Sequence, residues 1–338
     1  MIAASLRALL TGLVDYAGLF PPAKLDMASA VAAHARHRAG PHAYGLARFI
    51  CPASRLNEFA AAAAPHLPNL EAIPAGAGVP VAVGAGADAP GGPRTLPGQP
   101  GPDASTAPPD PWTLSVLIDG PLDQNLAAIA DFNRAHYKNH HYSAVIDTVE
   151  IKVATPEAID YALERLPEEL YPFFEVPVSG DARGFATALA GTGAGAKIRT
   201  GGVTPDLFPT VEQVCDFLFA MNASDVAFKA TAGLHHPIRE SYPLTYEPAS
   251  PRCVMHGFLN VFLAAAMLRE IDTDRATTIQ LLGEHAIEPF LFRDDSVTWR
   301  GLRLDTAQLA DARENFCICY GSCSFDDPVN DLKRFGLL

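Results

Sequence analysis

The sequence predicts an α/β fold, a TIM-type (β/α)8-like barrel with additional N-terminal helices, and three observations predict it. Short apolar strands alternate with helix-like stretches from residue 46 onward, a rhythm that builds a parallel sheet with crossover helices. About eight such units fit within the 338 residues, which favours closure into a barrel. An open doubly wound sheet would carry a G-x-G-x-x-G phosphate turn after its first strand, and "CPASR" (51–55) stands there instead.

In order, residues 2–14 and 26–37 read as helices joined by the loop "DYAGLFPPAKL", so that 1–40 form a helical cover over one domain spanning 1–338. Residues 46–51 are a first strand and 56–64 a helix. Residues 84–111 are rich in Gly, Pro, Ala and Asp with almost nothing to bury, so 87–110 read as a flexible insertion. "WTLSVLID" (112–119) resumes with a strand, and Leu126, Ile129 and Phe132 share one face of the next helix. Strands follow at 148–154, 170–178, 196–202 and 226–232. The helices between them start at Thr155-Pro156-Glu157, at 182, and at a capping box, Thr210 with Gln213. Helices at 255–270, 277–284 and 306–314, a hairpin at 289–301, the strand "FCICY" and a helix from Asp327 complete the chain. Val79 to Gly86 is a further strand candidate that would move every later strand up by one.

A composition of 49% hydrophobic and 19% charged residues is globular. The net charge of −13 argues against nucleic acid or an anionic membrane as partner. No apolar run reaches the roughly 20 residues that span a bilayer, and Arg7 and Thr11 interrupt the N-terminal apolar stretch, which reads as an amphipathic helix and not a signal peptide. Six cysteines read as reduced thiols of a cytoplasmic protein, with Cys317 and Cys319 on one strand face. The composition is compatible with a homo-oligomer.

Strand side chains alternate. Glu150 and Lys152 therefore share a face, as do Lys197 and Arg199, while Glu175 and Lys229 sit on faces opposite apolar neighbours. Crossover helices leave no wet face on a parallel sheet, so these six charges point into the barrel. Two acids and four bases do not cancel, and unpaired charge out of water is costly. The excess implies a small anionic substrate, a carboxylate or phosphate. Gly201 and Gly202, after Arg199, and Ser322 and Ser324 in "YGSCS" are candidate anion cradles, and Thr231 shares Lys229's face. Asp15 and Tyr16 read as part of a loop packed by Leu19 and Phe20, and His34 and His37 as a solvated helix face.

A lysine beside other cations loses affinity for its proton and becomes nucleophilic. Lys197 and Arg199 would do this to Lys229, making it a Schiff-base former, with Glu175, Glu150, His235 or His236 moving protons. "KATAG" (229–233) resembles the K-T-x-T-G segment of deoxyribose-phosphate aldolases. These are class I barrel enzymes whose lysine forms the Schiff base, and counting strands from residue 46 puts Lys229 on the sixth, where several class I aldolases carry it. In those enzymes a second lysine, in K-x-S-G-G, follows the Schiff-base strand, whereas here "KIRTGG" (197–202) precedes Lys229. The chain as a whole, with "DYAGLFPP" and "YGSCSF", also resembles a bacterial protein family, a likeness that implies no particular activity. The aldolase-like segment implies a lyase, an aldolase or dehydratase, without cofactor. Two alternatives stay open: a barrel hydrolase or isomerase using a divalent metal on His235, His236, His256 and Glu175, and a non-catalytic small-anion-binding protein.

Overall fold

Eight parallel strands close a barrel in the computed structural model, which describes residues 2–70 and 110–338. They are β1 (Val14–Tyr16), β2 (Leu46–Pro52), β3 (Trp112–Leu117), β4 (Ala144–Lys152), β5 (Tyr171–Glu175), β6 (Gly195–Arg199), β7 (Phe228–Thr231) and β8 (Cys317–Ser322). Each pairs with its neighbours in chain order, and β8 closes on β1. The TIM-type reading therefore holds. The expected strand at 79–86 and the 87–110 insertion, apart from Asp110, lie outside the described residues.

The strand count changes at the start. The helix expected over 2–14 ends early: α1 covers Ala4–Leu10, and the chain turns at Gly12, whose φ of +59° suits a residue without a Cβ. It then enters the barrel as β1. The helix α2 (Met27–Arg38) is accordingly the first crossover helix, and of the two N-terminal helices only α1 is extra to the barrel, packed against α10 (Thr306–Asn315). The expected two-helix cover over 1–40 is corrected in that respect. Lys229 lies on the seventh strand and Lys197 on the sixth.

The other helices fall close to their expected places: α3 (Leu56–Ala63), α4 (Leu122–Ala135), α5 (Glu157–Leu163), α6 (Arg183–Leu189), α7 (Val211–Ala223), α8 (Phe258–Ile271), α9 (Arg275–Leu282) and α11 (Asp326–Arg334). The Thr210 capping box is formed, with both reciprocal bonds present. Two additions interrupt the alternation between β7 and β8. One is a hairpin of Glu240–Pro243 with Arg252–Met255, which the sequence reading missed, and the other is the expected hairpin at 290–299, extended by a third strand, Leu302–Asp305. Outward strand residues such as Val149, Phe174, Ile198 and Phe228 are buried beneath the helices. Among the described residues no helix is long and apolar enough to cross a membrane.

Candidate active site inside the barrel

The register Glu175↔Lys197↔Lys229↔Cys319 sets four inward side chains side by side on β5, β6, β7 and β8. Room for them is made one step lower. Gly195 on β6 has no Cβ, and one would stand 2.6 Å from the Phe173 ring; the Lys229 ammonium sits 5.4 Å from that ring's centre.

Lys229 Nζ donates to Asp15 Oδ2 and Glu150 Oε1, both at 2.6 Å. Glu150 Oε2 meets Lys197 Nζ at 2.6 Å, and Lys197 reaches on to Glu175 Oε2 at 2.7 Å. Glu175 Oε1 accepts from Arg199 Nε at 3.1 Å. Exposure grows along this chain of pairs, from 0% for the Lys229 side chain through 1% for Glu150, 4% for Lys197 and 10% for Glu175 to 41% for Arg199. A continuous relay thus leads from the barrel axis to the ends of β5 and β6, where barrels of this type carry chemistry. Ser115 Oγ donates to Glu150 Oε1 at 2.6 Å, and the Asp15 carboxylate also accepts from the Arg48 main-chain N–H and the Cys319 thiol.

Four expectations about the barrel interior are corrected. Lys152, expected inside, is the last residue of β4 and is exposed, although the register pairs it with Glu175. Asp15, read as a loop residue, is fully buried and paired. With Asp15, Glu150 and Glu175 facing Lys197, Lys229 and Arg199, the interior charges balance, so an excess of cations no longer argues for an anion. The direction for Lys229 is also reversed. Burial alone pushes its ammonium down, but Asp15 and Glu150 more than offset this and hold its pKa above the ordinary lysine range. Burial pushes Glu150 up, and Lys197 and Lys229 outweigh it to hold the carboxyl well below the usual range; Glu175 is lowered likewise by Lys197 and Arg199.

The remaining candidates separate. Thr231 ends β7, half-buried, with its carbonyl taken by the Thr200 N–H. Gly201 and Gly202 are set by packing, since a Cβ would stand 2.5 Å from the Phe208 ring at one and 2.3 Å from Leu207 at the other. Ser322 Oγ donates to the Ser324 carbonyl, and Ser324 Oγ accepts from the Asp327 N–H, so the loop after β8 spends both hydroxyls on itself. His236 Nδ1 lies 2.6 Å from Asp331 Oδ2, His256 Nε2 lies 2.7 Å from the Pro209 carbonyl, and His235 faces Asp327 and Cys323. Burial pushes His236 down, and His256 down to about 4. His235, His236, His256 and Glu175 are not brought together, and no group of three or more His, Cys, Asp or Glu among the described residues could hold a metal ion. His34 and His37, expected on a wet face, are buried on the inner side of α2 against Tyr16.

Cys317 and Cys319 do not share a face. A register shift between them on β8 turns the Cys317 thiol to the Phe262 and Ala312 carbonyls and the Cys319 thiol to Asp15. All six cysteines are free thiols. Comparison of the chain with protein-family models, with curated proteins and with solved structures returns no match.

Proposed function

We propose that the protein is a lyase-type enzyme acting on a small anionic carbonyl compound through a Schiff base formed inside the barrel. The observation that carries this reading is the relay of ion pairs from the enclosed Lys229 to the open Arg199. A barrel interior filled with apolar side chains would avoid the desolvation that five buried charges incur, and perturbed charges gathered at the strand ends of a barrel are candidates for a reaction site.

Of the two lysines, Lys197 is the better amine. Both lysines bond two carboxylates, but Lys229 is wholly enclosed and held as an ammonium, whereas Lys197 shares Glu175 with the open Arg199. The class I aldolase-like segment itself carries Lys229; only the strand position that the resemblance implies for a Schiff-base lysine, the sixth, is that of Lys197. Glu175 takes the Lys197 proton, the amine attacks the carbonyl carbon, and the carbinolamine loses its oxygen as water. The cationic imine then draws electrons from the neighbouring bond. Lys229 remains a fixed cation that keeps Glu150 anionic on the other side of Lys197. Arg199 spends its Nε on Glu175, and its outer edge binds the substrate's carboxylate or phosphate.

Borohydride reduction in the presence of keto acids and sugar phosphates, followed by peptide mapping, tests this. A reduced adduct is expected on the Lys197 peptide and is lost in Lys197→Arg. An adduct on Lys229 would transfer the amine role to that residue, and no adduct with any carbonyl would end the Schiff-base reading.

A further inference from the structure

Cys323 stands one residue beyond β8, His235 four residues beyond β7, and Asp327 in the first turn of α11. Cys323 Sγ lies 3.7 Å from His235 Nε2, and His235 Nδ1 lies 3.2 Å from Asp327 Oδ2. Tyr246, in the hairpin loop, donates its hydroxyl to Asp327 Oδ2 at 2.7 Å and lies 3.8 Å from Cys323 Sγ. Cys323, Tyr246 and Asp327 line a cavity of about 270 Å3 together with Tyr16, Arg36 and His37. A thiol, a histidine and a carboxylate that orients the histidine form the arrangement that covalent catalysis by cysteine requires. The Schiff-base relay uses none of these three side chains.

We propose that Cys323, His235 and Asp327 form a second reactive centre, which takes an acyl group from a small activated ester or thioester bound in the cavity. Burial by itself would push the His235 imidazole down, but its bonds to Asp327 and Cys323 bring it up to about 10. The ring therefore carries its proton at neutral pH, and an imidazolium within 3.7 Å of Sγ is the kind of setting in which a cysteine is activated as a nucleophile. The other thiols lack such a partner: burial pushes Cys51 and Cys319 up to about 12, and Cys215 and Cys317 up to about 11. In the reaction Cys323 Sγ bonds to the acyl carbon, and the carbon–oxygen or carbon–sulfur bond to the leaving group breaks. The leaving group departs with the electron pair and takes the His235 proton, which an acidic phenol then releases to the solvent. Water then attacks the acyl-thioester, His235 accepts its proton, and the thiolate is released.

The test uses the intact protein with p-nitrophenyl acetate and, separately, with iodoacetamide at about neutral pH. Expected are a burst of p-nitrophenolate with one acetyl group on the Cys323 peptide, and alkylation of Cys323 ahead of Cys253, although Cys253 is the more exposed thiol. His235→Gln should slow alkylation of Cys323 on the order of tenfold, the gain that a thiolate offers over a free thiol at that pH, and leave Cys253 unchanged. Cys253 reacting first in the unaltered protein would overturn the proposal without recourse to any variant. So would a Cys323 rate indifferent to His235→Gln in a folded variant, and rapid alkylation without acetyl transfer would overturn the acyl assignment. Cys323→Ser should keep the borohydride adduct on Lys197, so the two sites fail separately.

Discussion

Asp15 and Lys229, 214 positions apart in the chain, meet at 2.6 Å inside the barrel, each fully buried. Strand β1 delivers the acid and β7 the base, with β8 between them. Because both members are buried, removing the acid leaves the interior one positive charge in excess, with Lys229 held by Glu150 alone. Asp15→Asn should therefore cost about 3–5 kcal/mol of stability, the range for breaking a buried pair, read as a lower urea midpoint with an unchanged slope. A double variant, Asp15→Asn with Lys229→Met, should recover part of that loss. A cost under about 1 kcal/mol for the single change would show that the pair is hydrated.

That same residue marks where the sequence was hard to read. The strands rich in β-branched and aromatic residues, and the period-2 placement of Glu150, Glu175, Lys197 and Lys229, were legible because alternation and apolar opposite faces encode them. Strand β1 was not, since three residues, Val14–Tyr16, are too few to show a period and follow directly on an apolar helix. Missing it displaced the count by one and hid the acid that balances Lys229. The thiol site was illegible for another reason. Cys323, His235, Tyr246 and Asp327 come from three separate segments, and only barrel closure brings β7 and β8 side by side. Lys152 failed because alternation states which way a side chain faces but not where the barrel ends.

The acids of the relay predict how stability depends on pH. Glu150 and Glu175 are both held below the usual carboxylate range by their lysine and arginine partners, against the upward push of burial. Groups lowered in the folded state contribute stability above their unfolded pKa, about 4.3 for glutamate, and lose it as pH falls from there toward the folded value. On the acid side the melting temperature should drop steeply below about pH 5. Glu175→Gln should make that drop shallower. A variant as acid-sensitive as the unaltered protein would remove Glu175 from the linkage.

Arg199 and Lys197 lie on one strand but should behave differently toward the same ligand. Arg199 sits at the open end of the relay, two-fifths exposed, and in the proposed reaction it binds the substrate without taking part in bond formation. Arg199→Met should weaken the affinity for a carbonyl compound bearing a carboxylate about tenfold, the loss of one charged hydrogen-bonding contact. The adduct yield at saturating ligand should be preserved. A neutral carbonyl analogue should be affected far less. Equal losses on charged and neutral analogues would mean that Arg199 only props Glu175.

Two glycines with nearly the same backbone can separate strain from close approach in the loop that carries His235. Gly233 has φ of +77° and Gly193 has φ of +74°, both in the left-handed region where an L side chain is strained. Around Gly193 an added Cβ meets nothing within 4 Å, while at Gly233 it would stand 2.9 Å from Gly201 Cα and 3.0 Å from the Thr200 carbonyl. Gly193→Ala should thus cost about 1 kcal/mol, the backbone penalty alone. Gly233→Ala must also push apart the loops that leave β6 and β7, and should cost about 2–3 kcal/mol in all. Because His235 lies two residues further on, the displacement should reach the thiol: Cys323 alkylation should slow in Gly233→Ala and stay unchanged in Gly193→Ala. Equal stability losses in the two variants, with equal thiol reactivity, would show that the β6 and β7 loops yield freely and do not fix His235.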